Sequence, residues 1–186
     1  MGIAARLGTV GTQRLAVPGL LIRGEAADTS AAAVQRRLLQ QASAQLAAAA
    51  ALVCDRGFPL RQLQEAGRPR YVVRAPVNFT ARRAVRPASR GQGRTPVRGV
   101  LVRPLPRTYK GRTMAATPSD RQETWPLRLG PTALTLHAAF WDNVVCADAR
   151  PGAPTFSTVL IHDPRCDEPL LLHTSLPLTG AQLQAF

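Results

Sequence analysis

The chain has 186 residues, with 24 Lys and Arg against 11 Asp and Glu, for a formal charge of +13. That is the length of one ordinary domain, and 45% hydrophobic residues with 19% charged ones exclude a wholly disordered chain. A strongly positive chain is most simply explained by a polyanionic partner, although 23 Arg against a single Lys is also what a GC-rich gene would encode.

Charge falls into three zones: residues 1–78 carry ten Arg and four acids, residues 79–112 nine Arg, one Lys and no acid, and residues 151–186 one Arg against three acids. Cys54, Cys146 and Cys166 are odd in number and form no C-x-x-C pair, so reduced thiols in a cytoplasmic protein are expected. No run of 18 apolar residues exists and no secretory signal is read, because Arg6 and Arg14 interrupt the start; no membrane partner is expected.

In chain order, residues 15–23 read as an edge strand that tolerates Pro18. Asp28, Thr29 and Ser30 offer N-caps for a helix to about residue 48, with Val34, Leu38, Leu39, Ala42 and Leu46 on one face. The run ALVC is a short strand ending at Asp55, Pro59 opens a second helix stopped at Gly67, and residues 71–75 form the next strand. This alternation predicts an α/β layer, in which catalytic groups gather at the carboxyl ends of strands. Asp55 is placed there either as an active-site carboxylate or as a cap for the helix that follows.

In the Arg-rich middle, residues 97–102 and 125–129 read as strands, and RTYKGRTMAATPSDRQ between them reads as a loop. Strands resume at 133–140 and 143–146. A β-hairpin is expected from residues 155–161 and 170–174 around the turn HDPRCDEP, then a helix from about Thr179. His162, Asp163 and His173 could suggest a metal site, but polar turns collect His and Asp, and the turn is the preferred reading. Trp125 and Trp141 read as packing groups, and Cys54 as a buried strand residue rather than a nucleophile.

The segment LVCDRGFPLRQLQEAGRPRYVVRAPVN, and later TVLIHDPRCDEPLLLHTSLPLTGAQLQAF, resemble two stretches of the catalytic domain of DDE transposases of bacterial insertion sequences. There an apolar strand ends in the second catalytic Asp, followed by Arg and Gly-Phe, a helix, and a strand ending in Arg. The resemblance implies a mixed α/β, RNase H-like fold with an antiparallel β-rich insertion: the core over residues 1–78, the Arg-rich insertion over residues 79–150, and over residues 151–186 a hairpin leading to the last catalytic Glu. It implies hydrolysis of phosphodiester bonds at transposon ends and strand transfer into target DNA, with two Mg2+ or Mn2+ ions held by three carboxylates, and a homodimer in an intact relative. Asp55 matches the second carboxylate and would be both catalytic and metal-binding. Residues 1–14 hold no acid for the first position, and no Y-x-x-R-x-x-x-E phrase appears for the last. The expectation is therefore a truncated fragment that does not cut DNA alone. Arg82, Arg83, Arg86, Arg90, Arg94, Arg98, Lys110 and Arg112 would contact DNA phosphates. The competing reading is a basic nucleic-acid-binding module with no catalytic history.

Overall fold

The computed structural model describes residues 2–10, 13–23, 30–67, 70–88, 91, 96–129, 131–179 and 182. It is mixed α/β, mainly sheet, with two helices among the described residues. The chain divides into two compact units, Met1–Leu52 with Phe58–Pro69, and Val53–Gly57 with Arg70–Phe186.

In the first unit, β1 (Gly2–Val10) and β2 (Gln13–Ile22) form an antiparallel two-stranded sheet. The ladder shifts register between Ala4 and Ala5, where Pro18 pairs with Ala5. Proline has no N–H to give a ladder, and a two-stranded sheet has only edges, so an irregularity there is tolerated. Helix α1 (Ala31–Gln45) begins at Ser30, whose Oγ accepts from the Ala33 N–H at 3.3 Å. Asp28 and Thr29 lie outside the described residues, and the helix ends at Gln45, short of residue 48, with Leu46 as its C-cap. Val34, Leu38, Leu39 and Ala42 are buried as the helical period requires. Val34 and Leu38 pack with Ile22, Leu20, Ala4 and Phe58. Helix α2 (Leu60–Glu65) follows Pro59, buries Leu60 and Leu63, and is succeeded by Gly67 at φ +69, a backbone state that favours glycine. Ser30→Ala is expected to lower stability by about 1 kcal/mol, read as a shift in the urea midpoint, because one N-terminal amide loses its acceptor. An unchanged midpoint would remove the cap from the account.

The second unit is built on an eight-stranded sheet: β3 (Leu52–Cys54), β4 (Tyr71–Arg74), β5 (Ala81–Arg83), β6 (Leu101–Val102), β9 (Arg121–Leu129), β10 (Thr132–Cys146), β11 (Phe156–His162) and β12 (Leu170–Thr174). A separate two-stranded sheet joins β7 (Arg107–Tyr109) and β8 (Arg112–Met114). The strand order is β3-β4-β12-β11-β10-β5-β6, with β9 also on β10, so the sheet takes strands from all three charge zones. From β4 through β6, and between β9 and β10, neighbours run antiparallel. Consecutive residues Tyr71, Val72 and Val73 on β4, and Thr158 to Ile161 on β11, are buried, so these strands are covered on both faces. One cluster gathers Trp125, Leu136, Ala138, Phe140, Val159 and Ile161. Trp141 is also buried, its indole N–H shared between the carbonyls of Thr117 at 3.1 Å and Pro118 at 3.0 Å. Both tryptophans therefore pack, as their setting suggests.

The structure differs from expectation in several places. The stretch RTYKGRTM is not a loop: Lys110 (φ 49) and Gly111 (φ 72) form the two-residue turn, with positive φ at both positions, that a tight hairpin requires. The strands expected at 133–140 and 143–146 are one strand, β10, with a bulge between Trp141 and Val144 where Asn143 adopts φ 52. The strand expected over 97–102 is confined to Leu101–Val102. The β11–β12 hairpin and its polar turn are present as expected, and most of the helix expected from Thr179 lies outside the described residues.

Candidate functional site

Asp55 directly follows β3 and leads into the turn at Arg56–Gly57. Its side chain is 76% exposed and meets the Arg74 guanidinium, at the end of the neighbouring β4, with Nη1 3.8 Å from Oδ1. Arg74 is itself half exposed, so the pair contributes little stability and both charges stay open to solvent. Pro59 is the N-cap of α2 and its side chain makes no cap hydrogen bond, while the interaction found for the Asp55 side chain among the described residues is the pair with Arg74. β3 is the last strand in the sheet order, so Asp55 lies at the end of an edge strand. Burial pushes the neighbouring Cys54 thiol up to about 12, which leaves it a thiol and no nucleophile at neutral pH.

Among the described residues no three His, Cys, Asp or Glu come together as a group able to hold a metal ion. His162 is exposed on β11 opposite His137, whereas His173 is buried on β12 opposite Thr158, so the two are not brought together. Asp163 is held by Arg165 in the hairpin turn, whose guanidinium keeps the carboxyl down at about 2. One exposed carboxylate beside an arginine does not make a centre for two divalent ions, which needs several hard oxygen donors converging.

The arginines expected to touch DNA divide into different kinds. Arg82 donates from Nε to the Ala147 carbonyl at 3.2 Å and from Nη1 to the Gly99 carbonyl at 2.9 Å. Arg83 makes a two-pronged bond to Asp120, 2.6 Å on each prong, and donates to the Asp142 carbonyl at 3.0 Å. That bond, more than charge alone, holds the Asp120 carboxyl below its usual range. Both arginines thus fasten β5 to its surroundings. Asp142 at the bulge accepts from Arg121 and from the Ser157 hydroxyl, and its own N–H donates to Asp120. It is a structural carboxylate. Arg86 and Arg98 are exposed, Arg90 and Arg94 lie outside the described residues, and Lys110 and Arg112 belong to the β7–β8 hairpin, with the Lys110 ammonium 5.5 Å from the centre of the Tyr109 ring.

Arg82, Arg83, Arg86 and Arg98 line one cleft of about 250 Å³ together with Arg150, and among the described residues no acid lines it. Arg150 is the member that sequence reasoning missed. It lies beyond the Arg-rich stretch and beside Asp148, and the ladder between β5 and the end of β10 brings it across. Comparison with known proteins finds no family model, no curated protein and no solved structure that matches the chain.

Proposed function

We propose that this chain handles DNA through a segment like that of DDE-type transposase domains, of RNase H-like architecture, with Asp55 as one of its carboxylates. The observation that carries this reading is the succession of β3, Asp55, a turn, α2 and β4 ending in Arg74, with the Asp55 and Arg74 side chains 3.8 Å apart on a solvent-open strand end. The same elements follow one another in the segment whose sequence resembles those transposases. Mg2+ or Mn2+ would supply the activation of water and the stabilisation of the leaving oxygen in an intact domain. The described residues do not fit a two-ion centre, so the role assigned to this chain's own groups is to hold DNA, and no cutting step is assigned to them.

A basic nucleic-acid-binding module without catalysis is the second reading, favoured by the Arg-lined cleft and by the edge position of β3. The two diverge at Asp55. On the first, Asp55 faces bound DNA, where its carboxylate repels phosphate and occupies Arg74. In EDTA, Asp55→Asn should then tighten binding of a labelled duplex about two- to fivefold, the effect of removing one solvent-screened charge, and Mg2+ should erase the gain. Equal affinities of the variant and the parent in both buffers would leave the second reading, and no duplex binding by either would remove both. Nicking of supercoiled plasmid by the chain with Mg2+ is not expected; nicking that Asp55→Ala abolishes would return the chemistry to this chain.

A further inference from the structure

We propose that the cleft lined by Arg82, Arg83, Arg86, Arg98 and Arg150 is a seat for one phosphate group, and, resting on the DNA reading above, that the phosphate belongs to a nucleic-acid backbone. The five guanidinium groups do different things. Arg83 is neutralised by Asp120 and serves as structure. Arg82 is held at fixed carbonyls, those of Gly99 and Ala147, so its charge is oriented but not cancelled. Arg86, Arg98 and Arg150 are exposed and have no acidic partner among the described residues. A fixed, uncompensated guanidinium with three free ones around it is an anion site. It favours phosphate over carboxylate because several planar forks can share three or more acceptor oxygens.

Size narrows the ligand. At about 250 Å³ the cleft falls below the roughly 300 Å³ at which sites for whole drug-sized molecules begin. It suits a phosphate with a portion of its sugar, the base remaining outside, and binding through it should be indifferent to sequence. The walls are rigid where rigidity matters. Gly99 stands against the β5 backbone so closely that a Cβ there would fall 1.8 Å from the Arg83 carbonyl oxygen, and the same glycine's carbonyl anchors Arg82.

The test compares two triple variants that remove equal charge: Arg86→Ala, Arg98→Ala and Arg150→Ala in the cleft, and Arg107→Ala, Lys110→Ala and Arg112→Ala on the hairpin. All six side chains lie on the surface or half-buried, and urea unfolding confirms that each variant is folded. For a labelled duplex the cleft variant should lose about tenfold or more in affinity, and the slope of log affinity against log salt should fall by about 1, the signature of one phosphate contact. On the seat reading Lys110 and Arg112 give only screened, diffuse attraction in place of the direct phosphate contacts expected from the sequence, and the hairpin variant should lose less than about threefold. Separately, inorganic phosphate should raise the melting temperature of the parent chain relative to chloride of equal ionic strength, and should not raise that of the cleft variant. If both variants lose DNA affinity equally, the charge acts diffusely and the seat is overturned while the DNA reading stands. If phosphate stabilises only the parent but no duplex binds, nucleic acid is overturned as the source. If phosphate stabilises neither, there is no seat.

Discussion

Gly99→Ala is expected to separate β5 from β6. A Cβ at residue 99 would lie 1.8 Å from the Arg83 carbonyl oxygen, 2.7 Å from its carbon and 2.9 Å from the Val85 carbonyl oxygen. These are backbone atoms, so no side-chain rotation relieves the clash and the two chain segments must move apart. Separation strains the Arg83 N–H bond to the Val100 carbonyl, 2.9 Å, and the Arg82 bond to the Gly99 carbonyl, 2.9 Å. It also loosens Ala81 and Val102, paired across this edge and both fully buried. Overpacking of this kind costs about 1 to 3 kcal/mol, and an immovable backbone obstacle puts this site at the upper end. In urea the midpoint should fall, and the Arg83 amide should exchange its hydrogen faster. Gly19→Ala is the control, since nothing lies within 4 Å of a Cβ there, and it should move the midpoint little. A Gly99→Ala chain as stable as the parent would mean that the β5–β6 contact is looser than described.

What could be read from the chain before its structure follows the range of the interactions involved. Helix α1 was legible because its signals are local: Ser30 caps it, and Val34, Leu38, Leu39 and Ala42 repeat at the helical period. The succession from β3 through α2 to β4 was legible for the same reason, with Pro59 and Gly67 marking the ends of the helix. Strand β1 gave no such signal, since GIAARLGTV does not alternate cleanly and is a strand because β2 pairs with it. The long β10 looked broken at Asp142 and Asn143, where polar residues usually end a strand. Here the bulge is sustained by Arg83, Asp120 and Ser157, which come from distant regions of the chain. The site divides in the same way. Asp55 could be named from the strand end it occupies. The structural duties of Arg82 and Arg83 could not, because their partners lie up to 65 residues away, and Arg150 reaches the cleft only through the β5–β10 ladder.

Acidification from neutral pH to about 4.5 is expected to destabilise the chain through His173 before most carboxylates are protonated. His173 is 1% exposed on β12, its ring centre 4.0 Å from that of Phe79 and 5.1 Å from that of Phe156. Its Nδ1 lies 3.1 Å from the Thr158 hydroxyl, and its Nε2 has no partner among the described residues. A proton added there would place a charge among aromatic rings, and burial accordingly lowers the imidazole to about 3 from the ordinary 6.5. The sign follows from which state binds the proton. Above pH 6.5 neither the folded nor the unfolded chain protonates this group, and its neutral packing contributes fully. Between 6.5 and about 3 the unfolded chain takes up a proton that the folded chain refuses, so stability falls as pH falls, by about 1.4 kcal/mol per unit. From pH 6.5 to 4.5 the loss is about 3 kcal/mol, a large share of what holds a domain of this size together. The carboxyls of Asp120 and Asp163, held down by Arg83 and Arg165, lose their contribution in the same direction only at lower pH. Urea unfolding of the parent and of His173→Gln at pH 7 and 4.5 separates these effects. Glutamine can still bond to Thr158 but does not titrate, so the variant should be weaker than the parent at pH 7 by about 1 to 3 kcal/mol, from imperfect packing and hydrogen bonding. Its stability should change far less between the two pH values, and the two curves should converge or cross toward pH 4.5. Parallel curves would mean that His173 does not carry the acid sensitivity.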